Sequence, residues 1–208
     1  MNEPAMWQLW DRITAWYSAN VAPEYRIQLN PGATTAQIQQ VENDLAVTFP
    51  ADVRESYLCH DGSNEVGIFT GGSYYLSLAG IVHECSLMKE MMADLQGHID
   101  RGDLEYLESW DGLDLQPRGP VRPVWWTSSW IPILCLQSGH YLCADTDPDE
   151  GGTVGQFIER RTDIGPVRVL GTSFREFFAK FVSGLEAGDY KFDTVEGQVR
   201  KIRKKRRN

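Results

Sequence analysis

The chain has 208 residues, of which 42% are hydrophobic and 24% charged, an ordinary globular composition for one domain or for a domain with an appendage. It has no run of about 18 apolar residues, which excludes a membrane-spanning helix, and its first residues lack the basic and apolar regions of a secretory signal. We therefore expect a cytoplasmic protein, with a formal net charge of −9.

The charge is unevenly distributed along the chain. The last nine residues, RKIRKKRRN, hold seven of the 20 basic residues and no acid, so the remaining 13 basic and 29 acidic residues give the rest a net charge of −16. Such an acidic body repels nucleic acid and anionic membranes, and it attracts basic partners. Nucleic-acid binding is therefore not expected, and the basic end is the only candidate segment for it.

The first half of the chain is predicted to be mainly helical. Residues 5–19 place apolar side chains three and four positions apart, which is the spacing of an amphipathic helix. A second helix is expected to begin at Thr34, with Gln37 as its capping-box partner. A third follows Pro50, a residue suited to a first helical turn, and a fourth is expected over residues 80–96.

The middle of the chain is less regular before it favours β-strands. Residues 97–124 are acidic and then proline-rich, so we expect a long loop or an insertion there. Residues 131–137 and 140–145 predict a hairpin that is apolar on both faces. Such a hairpin should lie at the centre of its sheet, with other elements covering both faces.

Four cysteines are present, and none forms a C-x-x-C pair. A two-residue turn at Ser138-Gly139 would place Cys135 opposite Leu142, so that Cys135 and Cys143 would lie on opposite faces of the hairpin. We therefore predict free thiols in a reducing compartment rather than a disulfide.

The last helix is the clearest one in the sequence. Six apolar residues between Phe174 and Leu185 recur at helical spacing, and Ser173 is a suitable cap for them. A domain is therefore expected over residues 1–188, followed by a short basic tail over residues 189–208.

Several alternatives remain open for the tail, and one of them is that it binds nucleic acid, anionic lipid or an acidic partner. It can be solvated and disordered, as chain ends often are, or it can fold back on the acidic body. It can also form a short helix, because Val195, Val199 and Ile202 are spaced four and three apart, although Gly197 weakens that helix.

Several short motifs follow one another over most of residues 5–186. They are a tryptophan-rich first helix, LNPGAT at residues 29–34, Ile38 to Glu42 and Leu45, Phe49-Pro50, His60-Asp61-Gly62, Tyr75-Leu76, Trp130-Ile131-Pro132-Ile133, Gly139 to Asp145-Thr146-Asp147-Pro148, Gly155-Gln156 and the helix at residues 174–181. In this order they resemble the SUKH superfamily, and within it the family named for the fungal Smi/Knr cell-wall assembly regulator. Each motif is weak alone, and their joint order gives the resemblance its specificity.

The resemblance implies an α+β fold with a mostly antiparallel central sheet and helices packed on it. Many bacterial members of the superfamily look like immunity proteins that neutralise toxins, whereas fungal members are signalling and cell-wall regulators. Our main interpretation is an immunity protein that binds a cognate toxin domain. The alternative is a regulatory or scaffold protein in cell-wall or signalling assembly, and both are protein-binding functions inferred by analogy.

The candidate partner-binding residues are one tryptophan and five acids. Trp126 follows another tryptophan, and one of the two would point outward if both lay on a strand; the alternative is a packed aromatic cluster. An exposed tryptophan is a typical interface anchor, and rigid acidic turns pair with basic partners. The acidic candidates are Asp111, Asp145, Asp147, Asp149 and Glu150.

Metal binding and catalysis are not expected. Asp145, Asp147 and Asp149 resemble the start of a calcium loop, but Glu150 stands where such a loop needs glycine, and Gln156 stands where it needs glutamate. The four histidines form no usual metal-binding pattern, and no serine lies in a nucleophile elbow. We therefore expect no metal, no cofactor and no enzymatic activity.

Overall fold

The computed structural model describes residues 3–64, 67–103, 115–136 and 140–202. These residues form five α-helices, a five-stranded sheet and a separate two-stranded sheet, which confirms the predicted α+β class. The helices are α1 (Met6–Asn20), α2 (Thr35–Leu45), α3 (Ala51–Cys59), α4 (Leu78–Arg101) and α5 (Phe174–Glu186). The strands are β1 (Tyr74–Tyr75), β2 (Trp130–Leu136), β3 (His140–Asp145), β4 (Gln156–Arg161), β5 (Gly165–Gly171), β6 (Tyr190–Asp193) and β7 (Gln198–Lys201).

The helix starts follow the predicted capping chemistry. The Thr34 Oγ1 accepts a hydrogen bond from the Gln37 backbone N–H at 3.2 Å, and the Gln37 Oε1 accepts one from the Thr34 N–H at 2.8 Å. Ser173 caps α5 through the Glu176 N–H at 3.0 Å. Within the described ranges, no helix is both long enough and apolar enough to cross a membrane.

The five-stranded sheet has the order β1–β2–β3–β4–β5, and every neighbouring pair is antiparallel. Strand β3 is therefore central, as the apolar hairpin predicts. Its register with β2 begins at the Trp130–Asp145 pair and shifts between Pro132 and Leu134, where the ladder is irregular.

The register of the hairpin differs from the prediction. Cys135 lies opposite Tyr141 rather than Leu142, so a two-residue turn does not give the right alignment. Because Cys143 lies two residues beyond Tyr141, it shares a face with Cys135, and the argument that placed these two cysteines on opposite faces was wrong. All four thiols are nevertheless free.

One face of the sheet packs against α1, α3 and α5 through aromatic side chains. The Phe157 ring on β4 lies 4.8 Å from the Phe177 ring, centroid to centroid, and the Trp10 ring lies 4.7 Å from the Phe178 ring. The buried Trp10 Nε1 donates to the Ser56 Oγ at 3.0 Å, which keeps its hydrogen bond inside the core.

The opposite face of the sheet is covered by α4. The Tyr141 hydroxyl on β3 donates to the Glu84 Oε2 on α4 at 2.6 Å. The helix continues to Arg101 and ends where Gly102 adopts the left-handed conformation with φ 66°. The irregular segment expected over residues 97–124 therefore begins later than predicted.

The residues after α5 form a β-hairpin rather than the short helix that their spacing allowed. Phe192 on β6 lies opposite Val199 on β7. Val199 has no exposed surface, and the Phe192 ring packs edge-on against Tyr17 of α1 at 6.3 Å. The first part of the expected tail thus belongs to the packed body, and residues 203–208 lie outside the described residues.

Candidate functional site

Residues 145–150, which we call the acidic corner, follow directly after β3. The Asp145 side chain is completely buried. Its Oδ2 accepts a hydrogen bond from the Gln156 Nε2 at 3.0 Å, and its Oδ1 accepts one from the Asp147 N–H at 3.1 Å. Gln156 also donates to the Pro120 carbonyl at 2.8 Å. Asp145 therefore supports the corner from inside, and the prediction that it contacts a partner directly needs correction.

Burial also affects the protonation of this carboxyl. Desolvation raises the pKa of Asp145 above its usual range, while the hydrogen bonds from Gln156 and from the Asp147 backbone act in the opposite direction. Burial in the fold therefore has the largest influence on the pKa of the Asp145 carboxyl.

The other acids of the corner face the solvent. Asp147 forms an ion pair with Arg122, whose Nη2 lies 2.8 Å from the Asp147 Oδ1 and whose Nε donates to the Asp147 carbonyl at 2.8 Å. Asp149 and Glu150 are exposed and form no ion pair within the described residues. In that part of the chain, no three His, Cys, Asp or Glu side chains are grouped to hold a metal ion.

The two remaining predicted residues have different outcomes. Asp111 lies outside the described residues. Trp126 is half-buried, and neither it nor Trp125 lies on a strand, so the alternation that would turn one of them outward does not apply. The Trp126 ring packs edge-on against Trp130 at 6.0 Å. The packed aromatic cluster is therefore the better description of this segment, although one part of Trp126 stays accessible.

Sequence reasoning missed the residue at the centre of this cluster, Arg160 on β4. Its guanidinium carbon lies 5.6 Å from the Trp125 ring centroid, 5.5 Å from that of Trp126 and 5.9 Å from that of Tyr141. The side chain has no exposed surface, and desolvation lowers the pKa of Arg160. No local signal could have revealed it, because an arginine in a strand is ordinarily expected to face solvent.

The hydrogen bonding of Arg160 is incomplete. Its Nη1 donates to the Thr162 Oγ1 at 3.3 Å, but its Nε and Nη2 have no hydrogen-bond partner among the described residues. Burying a cation without a carboxylate partner costs desolvation energy, and the contacts with the three aromatic rings act in the opposite direction.

A groove lies beside Trp126, between the end of α2, one side of α4 and residues 126–128. We call it the α2–α4 groove, and its volume is about 560 Å³. Asp44 and Lys89 also line it. Its apolar lining comes from Leu45, Val82, Cys85, Met92 and Trp126.

A second concavity, of about 690 Å³, continues the first, because Ala46 and Ser128 line both. We call it the polar half, and the two together the extended groove. The charges in it include Glu3 and Arg175. Arg175 is largely neutralised within the fold, since its Nη2 lies 2.5 Å from the Glu55 Oε2.

The acidic corner borders the polar half. Thr146 and Val154, which flank the loop between β3 and β4, both line it, and 72% of the Val154 surface is exposed. Asp149 and Glu150 lie on the same loop. The loop that carries Asp147, Asp149 and Glu150 therefore borders the same extended groove that Trp126 lines, a relationship that the sequence alone did not show.

Ala46 stands where the two halves meet, and its backbone is unusual. Its φ is 53°, and it is the one non-glycine residue with positive φ in the described ranges. It ends α2 in the left-handed conformation, with its N–H bonded to the carbonyls of Asn43 and Glu42. Side-chain-bearing residues rarely adopt this conformation, which often marks functional sites.

The sequence of the chain matches known proteins over most of its length. Residues 32–180 match the profile of the SMI1 / KNR4 family (SUKH-1). The chain belongs to this family. The resemblance seen in its short motifs is thereby confirmed.

Three relatives of the chain show how far the sequence similarity extends. "KNR4/SMI1 homolog 2" of Debaryomyces hansenii is 28% identical over 91% of this chain and 37% of its own length. "Cell wall biosynthesis/cell cycle regulator smi1" of Schizosaccharomyces pombe is 30% identical over 96% of this chain and 40% of its own length. "Cell wall assembly regulator SMI1" of Saccharomyces cerevisiae is 26% identical over 87% of this chain and 40% of its own length.

These relatives bear on the two functional interpretations. The chain spans about two fifths of the length of the curated relatives it matches. Two of the three are named as regulators of the cell wall, which favours the regulatory alternative over the immunity protein. A toxin partner has no support among them.

Proposed function

We propose that this chain is a non-enzymatic regulatory domain that acts in cell-wall assembly by binding other proteins, and that it does so in the cytoplasm. Membership of the SMI1 / KNR4 family carries this proposal, because the named relatives are regulators of cell-wall assembly or biosynthesis rather than enzymes. The free thiols agree with a reducing compartment.

The extended groove is the binding surface that we assign to this function. It combines a half-buried tryptophan, an apolar lining and a neighbouring acidic loop, which are the features of a protein-binding site with a central anchor and a polar rim. Trp126, Asp147, Asp149 and Glu150 remain candidate contacts on it. Asp145 positions the corner, and Asp111 stays a candidate from the sequence alone.

The test uses the fission-yeast relative, which is 30% identical to the chain. Cells that lack this relative would express a chimera of it in which this chain replaces the matching segment. We expect the chimera to restore the cell-wall mass and the resistance to wall-digesting enzymes of the parental strain. A chimera that accumulates normally but restores neither property would contradict the proposed function.

A further inference from the structure

We propose that the extended groove binds a segment of a protein partner that is both basic and apolar. Apolar side chains of the segment would lie against Trp126 in the α2–α4 groove, and its Lys or Arg residues would lie along the polar half. This inference rests on the proposed function and adds the chemistry of the partner to it.

The apolar half favours apolar side chains from a partner. Val82, Cys85 and Met92 recur along one side of α4 and line the groove together with Trp126. Covering such a surface removes apolar area from water, which is favourable. A volume of about 560 Å³ accommodates several side chains of a peptide.

Trp126 is held in place before any partner binds. Its ring is fixed by the Arg160 guanidinium at 5.5 Å and by the edge-on Trp130 ring at 6.0 Å. An anchor that is ordered in the free protein loses little conformational entropy on binding, so its contacts contribute more fully to affinity.

The charges along the extended groove favour a basic segment. Asp44, Asp149 and Glu150 are exposed acids on or beside it. Lys89 is a base in the lining of the α2–α4 groove. The acids therefore outnumber this base.

Two further observations strengthen the charge argument. Arg175 offsets only Glu3, whose Oε2 lies 3.9 Å from the Arg175 Nε; it also pairs with Glu55, and its Nη1 donates to the Pro4 carbonyl at 2.8 Å. The field of the whole body, with its net charge of −16 over residues 1–199, acts in the same direction and accelerates the approach of basic segments.

A peptide selection tests the proposal directly. A phage-displayed library of random 16-residue peptides would be selected against the immobilised full chain, and the enriched peptides would be labelled and titrated by fluorescence anisotropy. We expect them to combine apolar residues with Lys or Arg. Enriched peptides that are acidic, or a selection that yields no binding peptide, would overturn the proposal.

A matched pair of variants on α4 localises the site. Met92 lines the groove, whereas Leu87 lies on the same helix, is 42% exposed and does not line it. We expect Met92→Glu to raise the Kd of the selected peptides by about tenfold or more, and Leu87→Glu to change it by less than about twofold. Equal affinities for the two variants would place the binding site elsewhere.

Because Met92 is half-buried, a second groove variant keeps the test interpretable. Ser86 is exposed, lines the groove and bonds only to the Val82 carbonyl of its own helix among the described residues. Ser86→Arg adds bulk and positive charge without touching the core, so we expect it to weaken binding as strongly as Met92→Glu. Unchanged binding to a folded Ser86→Arg protein would contradict the proposal.

The acidic loop supplies a separate electrostatic test. We expect the double variant Asp149→Asn and Glu150→Gln to weaken binding by about threefold to tenfold at low ionic strength, and the difference to shrink at about 1 M salt, where the Debye length is about 3 Å. The exposed Glu24, which does not line the groove, serves as a control through Glu24→Gln. If Glu24→Gln weakens binding as much as the double variant does, the acidic loop is not part of the binding site.

The yeast chimera separates this inference from the proposed function. If the unaltered chimera restores the wall and its Met92→Glu form does so equally well, the groove proposal is wrong and the regulatory function stands. If the unaltered chimera fails, the proposed function is wrong whatever the peptides show. Rescue by the Leu87→Glu chimera but not by the Met92→Glu chimera would support both.

Discussion

The Arg160 guanidinium lies 5.5 Å from the ring centroid of Trp126. Because Trp126 also lines the α2–α4 groove, it connects the buried charge of Arg160 with that groove. Two N–H groups of Arg160 have no hydrogen-bond partner in the described part of the chain. An arrangement of this kind reduces stability. We infer that Arg160 serves to orient Trp126 rather than to stabilise the fold.

The first prediction concerns the stability of an Arg160→Met variant. Methionine keeps much of the length of the side chain and removes the uncompensated charge, so we expect the free energy of unfolding to stay the same or to rise by up to about 2 kcal/mol. Urea denaturation measures it. The neighbouring Arg161→Met, which breaks an exposed ion pair with Asp163, should change stability by less than about 1 kcal/mol.

The opposite result for Arg160 would be equally informative. A loss of more than about 1 kcal/mol in Arg160→Met would mean that the contacts of the guanidinium with the three rings outweigh its desolvation. In that case Arg160 would be a stabilising residue, and its role in orienting Trp126 would need separate proof.

The features that the sequence predicted well are local ones. The capping partners lie three residues apart at both helix starts, Thr34 with Gln37 and Ser173 with Glu176. Their spacing in the sequence alone specifies the contact. The central hairpin was also predictable, because both of its faces are apolar. Its register was not, because the expected two-residue turn misaligned the strands by one residue, and Cys135 lies opposite Tyr141 instead of Leu142.

The candidate site depends on contacts between distant segments, which explains why it was only partly predicted. Asp145 and Asp147 look equivalent in sequence, yet Asp145 is buried and Asp147 is exposed. The buried Asp145 accepts a hydrogen bond from Gln156, which lies eleven residues further along the chain. The groove exists because α2 packs near α4, and neither helix alone indicates it. The sequence offered Trp126 and the acids of the corner as separate candidates, but not the groove that connects them.

The second prediction concerns the pH dependence of a Glu176→Gln variant. The Lys180 ammonium and the Thr172 N–H and hydroxyl lower the pKa of Glu176 to about 2. A carboxyl with a depressed pKa stabilises the fold above its unfolded value of about 4.3, and this stabilisation is lost as the pH falls towards the folded value.

The variant should therefore lower the free energy of unfolding by about 1–2 kcal/mol at pH 7, a figure reduced for the partial exposure of this side chain. The difference from the unaltered protein should disappear near pH 2. Urea titrations between pH 2 and 7 measure it, with the exposed Glu90→Gln as control. A difference that does not depend on pH would show that charge is not the cause.

The third prediction concerns the backbone at Ala46. Glycine adopts positive φ without steric strain, so Ala46→Gly should raise the free energy of unfolding by up to about 1 kcal/mol. The same substitution at Ala51, in the first turn of α3, should lower it by about 0.5–1 kcal/mol. Thermal denaturation of the pair measures the two opposite signs, and a loss of stability in both would show that the left-handed conformation of Ala46 carries no strain.

The fourth prediction concerns the hairpin of β6 and β7. Val199 is completely buried there, whereas Val195, in the turn, is 93% exposed. We expect Val199→Ala to lower the free energy of unfolding by about 1–3 kcal/mol and Val195→Ala to change it by less than about 0.5 kcal/mol. Urea denaturation of the two variants provides the comparison.

Truncations extend this test to the whole C-terminal region. Ending the chain after Ile202 removes five basic residues and leaves the hairpin intact, so its stability should hardly change. Ending it after Gly188 also removes Phe192 and Val199 from their contacts with the body, and the remaining protein should be markedly less stable. Binding lost only in the shorter form would therefore reflect damage to the fold rather than the loss of basic charge. Equal stability of the two truncated forms would show that the hairpin is dispensable to the core.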